Sequence, residues 1–290
     1  MVLTPKGVRP LIRQALREDR ASQDVTSRTV LPADWRIRAR VVSRASGVAA
    51  GVKMAALTFT TLDPSVRCRL HVRSGAALSP GKTILTVEGR ARSIFAAERT
   101  ALNFLSHLSG IATLTATFVR RVRGTRARIL DTRKTLPGLR ALEKYAVRAG
   151  GGSSHRGDLV EAVLIKTNHL LAYSGQWTTT DSQAIRAAIK LARKKVRRKF
   201  VEIEVTNFRE FQAALEARPD AILLDNWTTA GIRKAVRYAR RCSRRPQLEA
   251  SGGVTLKNVR AIAKTGVDRI SIGQLTHSAP SLDVSLKVES

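Results

Sequence analysis

The sequence predicts an α/β chain in which a βα barrel follows a smaller strand-rich unit. Three observations carry this. From about residue 125, short apolar runs alternate with amphipathic segments, the rhythm of parallel strands joined by crossover helices. Nearly every run exits into a polar, acidic or glycine residue, as barrel strands do at their C-terminal ends. Before residue 110 the rhythm differs, with β-like alternation punctuated by Gly47, Gly51, Gly75 and Pro80-Gly81.

The segment from Met1 to Arg20 has no signal-peptide core and reads as an amphipathic helix. Strands are expected around Ile37–Val42, Val66–Val72 and Ile84–Val87. A long helix follows from about Ala91 to Arg123, with Phe95, Leu102, Leu105 and Leu108 apolar and a break expected at Gly110. The barrel strands are expected at Ala127–Leu130, Ala162–Ile165, Val201–Val205, Ala221–Leu224, Gln247–Ala250 and Arg269–Ile272. Helices are expected at 139–149, 181–196, 207–217, 228–243 and 255–264. The last residues rejoin the first unit, giving domains 1–112 with 276–290, and 113–275.

Bulk properties narrow the classes. The chain's 290 residues suffice for one large or two smaller domains, and 43% hydrophobic residues argue against disorder. No apolar run approaches the ~18 residues of a membrane span, so none is expected. The two cysteines, Cys68 and Cys242, form no CxxC pair, which makes a disulfide or zinc site improbable and a reducing cytoplasm the expected setting. The net charge of +30 raises nucleic-acid binding, but no aromatic platform, recognition-helix pattern or zinc spacing accompanies it. The favoured reading is a basic surface on an enzyme with anionic substrates. The densest run, Arg193 to Lys199, ends an expected helix and complements its dipole.

The strand exits carry the chemistry. Asp131-Thr132-Arg133-Lys134-Thr135 ends the first barrel strand, with Ser154-His155-Arg156 and Ile165-Lys166 after it. Arg133, His155, Arg156 and Lys166 can hold two carboxylates, guanidinium groups being suited to bidentate contact, and Lys134 is left for a phosphate. His155 alone would read as structural; its place after Gly150-Gly151-Gly152 and before Arg156 points to a ligand loop. Glu204 and Asp225, on neighbouring strands, can hold Mg2+, bond ribose hydroxyls, or form salt bridges. Ser251-Gly252-Gly253 and Ser271-Ile272-Gly273 form two strand–glycine–helix junctions of the kind that seat a phosphate.

Glu98 to Leu105, Leu108 to Thr113, Leu130 to Thr135, Pro137 to Arg140, Glu143 to Val147, Ala149 to Gly152, Leu248 to Gly253 and Leu275 to Pro280 closely resemble the quinolinate phosphoribosyltransferases, the carboxylating nicotinate-nucleotide pyrophosphorylases. The similarity runs from about Leu11 to Leu286. It implies an N-terminal open-faced sandwich and an incomplete, roughly seven-stranded α/β barrel. It implies a homodimer, or a hexamer, with shared active sites that Arg99 reaches from the partner. The implied reaction is that of a pentosyltransferase: quinolinate and phosphoribosyl pyrophosphate give nicotinate mononucleotide, pyrophosphate and CO2, with Mg2+. Arg99, Arg133, His155, Arg156 and Lys166 would bind quinolinate. Lys134, Glu204, Asp225, Ser251, Gly252, Gly253, Ser271, Gly273 and His277 would bind phosphoribosyl pyrophosphate, with Lys134, Glu204 and Asp225 catalytic and the two acids at the metal.

Four positions depart from the family pattern: Ser154 for Asn, Gly157-Asp158-Leu159 for the usual glycine-leucine step, and Thr167 and Thr206 for Asp. Two alternatives stand beside this reading. One is a paralogue of other specificity, such as the molybdenum-transport-associated relatives. The other is a basic nucleic-acid-binding protein on an inactive barrel, against which Lys134, Glu204, Asp225 and both glycine junctions argue.

Overall fold

The computed structural model describes residues 5–175, 181–196 and 198–289. The first four residues of the expected N-terminal helix, and Arg197 of the basic run, lie outside these. Along the chain run α1 (Pro5–Glu18), α2 (Val25–Val30), β1 (Arg36–Ser43), β2 (Gly47–Val48), α3 (Val52–Leu62), β3 (Arg67–Leu70), β4 (Ala77–Leu78), β5 (Thr83–Arg90) and α4 (Ala91–Arg121). They continue with β6 (Arg128–Leu130), α5 (Arg140–Ala149), β7 (Val163–Ile165), α6 (Thr167–Ser174), α7 (Ser182–Lys195), β8 (Val201–Val205), α8 (Phe208–Ala217) and β9 (Ala221–Asp225). The chain closes with α9 (Thr229–Ala239), β10 (Gln247–Ser251), α10 (Val259–Ala263), β11 (Arg269–Ser271), α11 (Gln274–His277) and β12 (Val284–Val288).

Two compact units result. The first takes the chain up to Ala116, Thr135–Gly151 and everything from Gln274 on. Its main sheet is antiparallel in the order β12-β1-β5-β3. Strand alternation buries Ala39 and Val41 of β1, and Leu85 and Val87 of β5. Helix α4 buries Ile94, Ala97, Ala101, Leu105, Leu108 and Ala112, one stripe at helical spacing. It runs through Gly110 without the expected break. The glycine answers to packing instead: a Cβ there would sit 2.1 Å from the Pro280 carbonyl oxygen. By length and composition α4 could cross a membrane, although no span was expected; half of its most apolar window is buried in protein, which marks a core helix.

The second unit is Thr117–Lys134 with Gly152–Gly273. Six parallel strands lie in the order β6-β11-β10-β9-β8-β7 and do not close. Where a seventh strand is expected, a single parallel bridge joins Ser153 to Leu130. Strand period two gives the sheet two faces. Val201, Ile203, Val205, Ile222, Leu224, Leu248 and Ile270 are buried on one. In register on the other stand Glu202, Glu204, Asp225, Glu249, Ser251, Arg269 and Ser271. Two helix starts on this unit are capped by side chains that satisfy free N–H groups: Asn207 accepts from Glu210 N–H, and Thr228 from Gly231 N–H.

Candidate active site

The polar face of the parallel sheet holds two layers of charge. The deeper layer is a closed network. His155 Nε2 lies 2.9 Å from Glu202 and 3.4 Å from Glu249, and Arg269 Nε lies 2.8 Å from Glu249. Both glutamates are buried, Glu249 completely. Burial alone would lower the His155 pKa, but the two carboxylates outweigh it and push it up to about 9. Arg156 N–H, donating to His155 Nδ1 at 2.8 Å, opposes that proton. Two charge-assisted contacts to buried carboxylates outweigh one neutral N–H···N bond, so the raised direction stands. Burial, then the neighbouring Glu249, raise the Glu202 pKa. Burial would also raise Glu249, but His155 and Arg269 draw it down.

His155, Glu202 and Glu249 are metal-ligating types with ligand atoms within 4.8 Å of one another. The cluster already carries its cations, His155 and Arg269, so it reads as an internal ion network. The ring atoms of His155, expected at quinolinate, face this network. The Ser271 hydroxyl, expected at the phosphate, also faces Glu249.

The outer layer lies at the strand C-terminal ends. Glu204 Oε1 accepts from Thr167 N–H at 3.3 Å and from the Thr167 hydroxyl at 3.1 Å, and Lys166 Nζ lies 3.6 Å from Glu204 Oε2. Burial and then the Glu204 charge raise the Asp225 pKa, against the pull of Lys166 and Lys134. The structure thus gathers Lys134, Lys166, Glu204 and Asp225. Arg133 and Arg156 form a second group. Burial, and next the Arg133 charge, depress the Arg156 pKa, so the two guanidiniums feel one another's charge. Arg156 also donates to the Ala162 carbonyl at 3.1 Å. Buried Asp131 fixes the loop by accepting from His155 N–H at 2.8 Å. Like charges in one neighbourhood at the strand exits favour an anion there.

At the β10 exit, Gly252 and Gly253 have φ of +85° and +58°, and a Cβ on Gly252 would meet Asn226 Oδ1 at 2.2 Å. Asn226, itself left-handed at φ 57°, donates to Asp225 at 2.9 Å. Arg99 and His277 belong to the first unit: Arg99 is exposed on α4, and exposed His277 contacts the Ser278 hydroxyl at 2.5 Å.

Two family models cover nearly the whole chain. The N-terminal domain of quinolinate phosphoribosyl transferase matches residues 24–109, and its C-terminal domain matches residues 111–287. The chain belongs to the quinolinate phosphoribosyltransferase family. Among its relatives, the carboxylating nicotinate-nucleotide pyrophosphorylase of Mycobacterium leprae is 43% identical, over 97% of this chain and 96% of that one. A decarboxylating quinolinate phosphoribosyltransferase of Nicotiana tabacum is 36% identical, over 98% and 82%. The solved nicotinate-nucleotide pyrophosphorylase of Francisella tularensis superposes with a TM-score of 0.90 at 36% identity, over 99% and 98% of the two chains. The chain has one unit with a small antiparallel sheet and one with an open parallel α/β sheet, in keeping with the two domains matched.

The residues that pattern reading left out of the site are Glu249, Arg269 and Glu202 as a network, and Thr167 as a donor to Glu204. The sequence did carry a signal for the network. Val201-Glu-Ile-Glu-Val205 puts two acids in an otherwise fully apolar strand, and buried acids require partners.

Proposed function

We propose that this chain transfers a phosphoribosyl group from phosphoribosyl pyrophosphate to the ring nitrogen of quinolinate and then releases CO2, giving nicotinate mononucleotide and pyrophosphate. The observation that carries the reading is the outer layer at the strand exits, where Lys166 stands 3.6 Å from Glu204 with Asp225 and Lys134 in the same field, and Arg133 and Arg156 add like charge nearby. A pyridine dicarboxylate needs two cationic grips, and a phosphoribosyl donor needs cations at its phosphates and carboxylates at its ribose.

In this reading Arg133 and Arg156 hold one carboxylate bidentately, and Lys166 with the partner's Arg99 holds the other. Lys134 meets the pyrophosphate. The backbone of Ser251, Gly252, Gly253 and Gly273 receives the 5′-phosphate, where φ values near those of Gly252 and Gly253 let a phosphate approach the main chain. Glu204 and Asp225 orient the ribose hydroxyls and stabilise positive charge developing at C1. The same two acids suit Mg2+: burial and then the Glu204 charge raise the Asp225 pKa, and a bound cation would offset both. When bound, Mg2+ offsets pyrophosphate charge. Once the ring nitrogen has bonded to C1 and pyrophosphate has left, the cationic nitrogen stabilises the electron pair that departing CO2 leaves at C2, and a proton from solvent takes up that pair, so no organic cofactor is required. His155 acts from below, ordering the loop that carries Arg156. A homodimer with shared sites, in the cytoplasm where Cys68 and Cys242 stay reduced, completes the proposal.

The test is product formation from phosphoribosyl pyrophosphate with quinolinate or nicotinate, with and without Mg2+. Mg2+-dependent nicotinate mononucleotide from quinolinate alone is expected. Product from nicotinate at a matching rate, or none from either, rejects the dicarboxylate assignment and favours a paralogous specificity.

A further inference from the structure

A group of basic side chains stands at the N-terminal ends of the parallel strands, the end opposite the proposed substrate site. At the N-terminal ends of the strands, two aspartates each bind backbone and arginine together. Asp220 accepts from Val201 N–H at 2.7 Å and pairs with Arg193 at 2.9 Å. Asp268 accepts from Leu248 N–H at 2.9 Å and pairs with both Arg126, at 2.6 Å, and Arg245, at 2.8 Å. Beside them Arg128 and Arg244 are exposed, and Lys199 is held by the Val160 carbonyl at 2.6 Å. Arg126, Arg128, Arg245, Pro246, Gln247 and Asp268 line a polar cavity of about 310 Å³ at this rim.

Two ordinary explanations fall short. Basic last turns complement the dipoles of α7 and α9, which covers Arg193, Lys194, Lys195 and Arg237. They do not cover Arg126, Arg128, Arg244 and Arg245, which stand outside any helix. Attraction of anionic substrates calls for cations at the strand C-terminal ends, where Arg133, Arg156, Lys134 and Lys166 already stand. At the opposite rim Arg126, Arg128, Arg193, Lys199, Arg244 and Arg245 stand against Asp220 and Asp268, and the excess repels itself unless a further anion meets it.

We propose that this rim is a sequence-independent binding surface for the phosphate backbone of a nucleic acid. Adjacent strands are about 4.8 Å apart, so the rim from β8 to β6 spans about 20 Å, room for several phosphates. Ion pairs to Asp220 and Asp268 hold three of the guanidiniums in place while leaving net positive charge. The cavity offers room for one phosphate beside exposed Arg128, with Arg126 and Arg245 ordered next to it by Asp268. A membrane surface is disfavoured because residues 126–128, 244–247 and 268 expose no large apolar side chain to insert.

The experiment measures binding of labelled single-stranded RNA and duplex DNA of about 20 nucleotides to the full chain by fluorescence anisotropy, between about 50 and 200 mM salt. Vesicles of phosphatidylcholine and phosphatidylserine form a parallel arm. A triple variant, Arg126→Gln, Arg128→Gln and Arg244→Gln, is compared with an equally charged change on α1: Arg9→Gln, Arg13→Gln and Arg17→Gln. Should the triple fail to fold, Arg241→Gln with Arg244→Gln, both exposed, takes its place. The rim variant is expected to weaken oligonucleotide binding at least about tenfold and to lower the salt slope by about two to three. The α1 variant should match the parent, and nicotinate mononucleotide formation should be unchanged in both. Equal weakening by both variants would mean diffuse charge and overturn the proposal. Absence of salt-sensitive binding, or capture of vesicles without oligonucleotides, overturns it as well.

Discussion

Asp225 is the residue where function and stability pull apart. Burial and Glu204 raise its pKa, so the folded chain is penalised for ionising it at neutral pH. A carboxylate held against its own preference fits a group meant to meet a cationic partner. Asp225→Asn should therefore leave the melting temperature equal or higher at pH 7 while removing nearly all product formation; a marked fall in melting temperature would show that the carboxylate stabilises the fold. His155 carries the opposite sign. Its folded value of about 9 exceeds the ordinary 6.5, so its ion pairs contribute fully below about 6.5 and fade as pH rises through about 9. The parent chain should lose melting temperature between pH 7 and about 9.5, and His155→Gln should lose less over that window. Parallel curves for the two proteins would remove His155 as the cause. At this scale the sequence exposed the strand exits well: Lys134, Lys166, Glu204 and Asp225 come together as motif spacing suggests. It could not show which way a side chain points. His155 and Ser271 turn to Glu249 because a buried carboxylate draws every available donor, and that demand becomes visible only in the fold.

Elements were legible where periodicity is strong and hidden where it is short. The six parallel strands and the helices α5, α7, α8 and α9 fall within a few residues of their expected places, because parallel strands covered on both faces read as short, largely apolar runs. Helices α3 and α6 escaped notice. α6 has eight residues, starts directly after a strand, and has only Leu170 buried, too little for a helical period to stand out. Its first turn is closed by His169 Nδ1 accepting from Lys166 N–H at 2.9 Å. The break expected at Gly110 rested on glycine's weak helix propensity, about 1 kcal/mol, which tertiary contact overrides. Gly110→Ala should cost about 1–3 kcal/mol by forcing the Pro280 segment away, despite alanine's better propensity. Urea denaturation measures it, and a variant as stable as the parent would refute the steric reading.

At the scale of the whole molecule, charge and assembly are the open quantities. A net charge of +30 implies self-repulsion, so melting temperature should climb with ionic strength until screening saturates near the ~10 Å Debye length of 0.1 M salt. A melting temperature indifferent to salt would mean that local ion pairs already balance the surface. The proposed sharing of sites between two copies of the chain makes a separate prediction. Lys134→Ala and Arg99→Ala should each reduce turnover to near nothing, and mixed dimers of the two should regain part of it. Verified mixed dimers without recovery would place a complete site within one chain.

The pairing of β12 with β1, Val41 opposite Leu286, has a consequence for biosynthesis. The central strand of the first sheet leaves the ribosome long before its neighbour exists, so throughout synthesis one side of β1 offers unpaired backbone groups to any passing chain. Arg36, Arg38 and Arg40 line that strand, and charges of one sign keep an open edge from recruiting copies of itself. When the C-terminus arrives, Glu289 takes both Arg38 and Arg40 at 2.8 Å. The same arginines first protect the nascent chain and then fasten its last residues, so a nascent chain stalled before Val284 would keep its guard but never its partner.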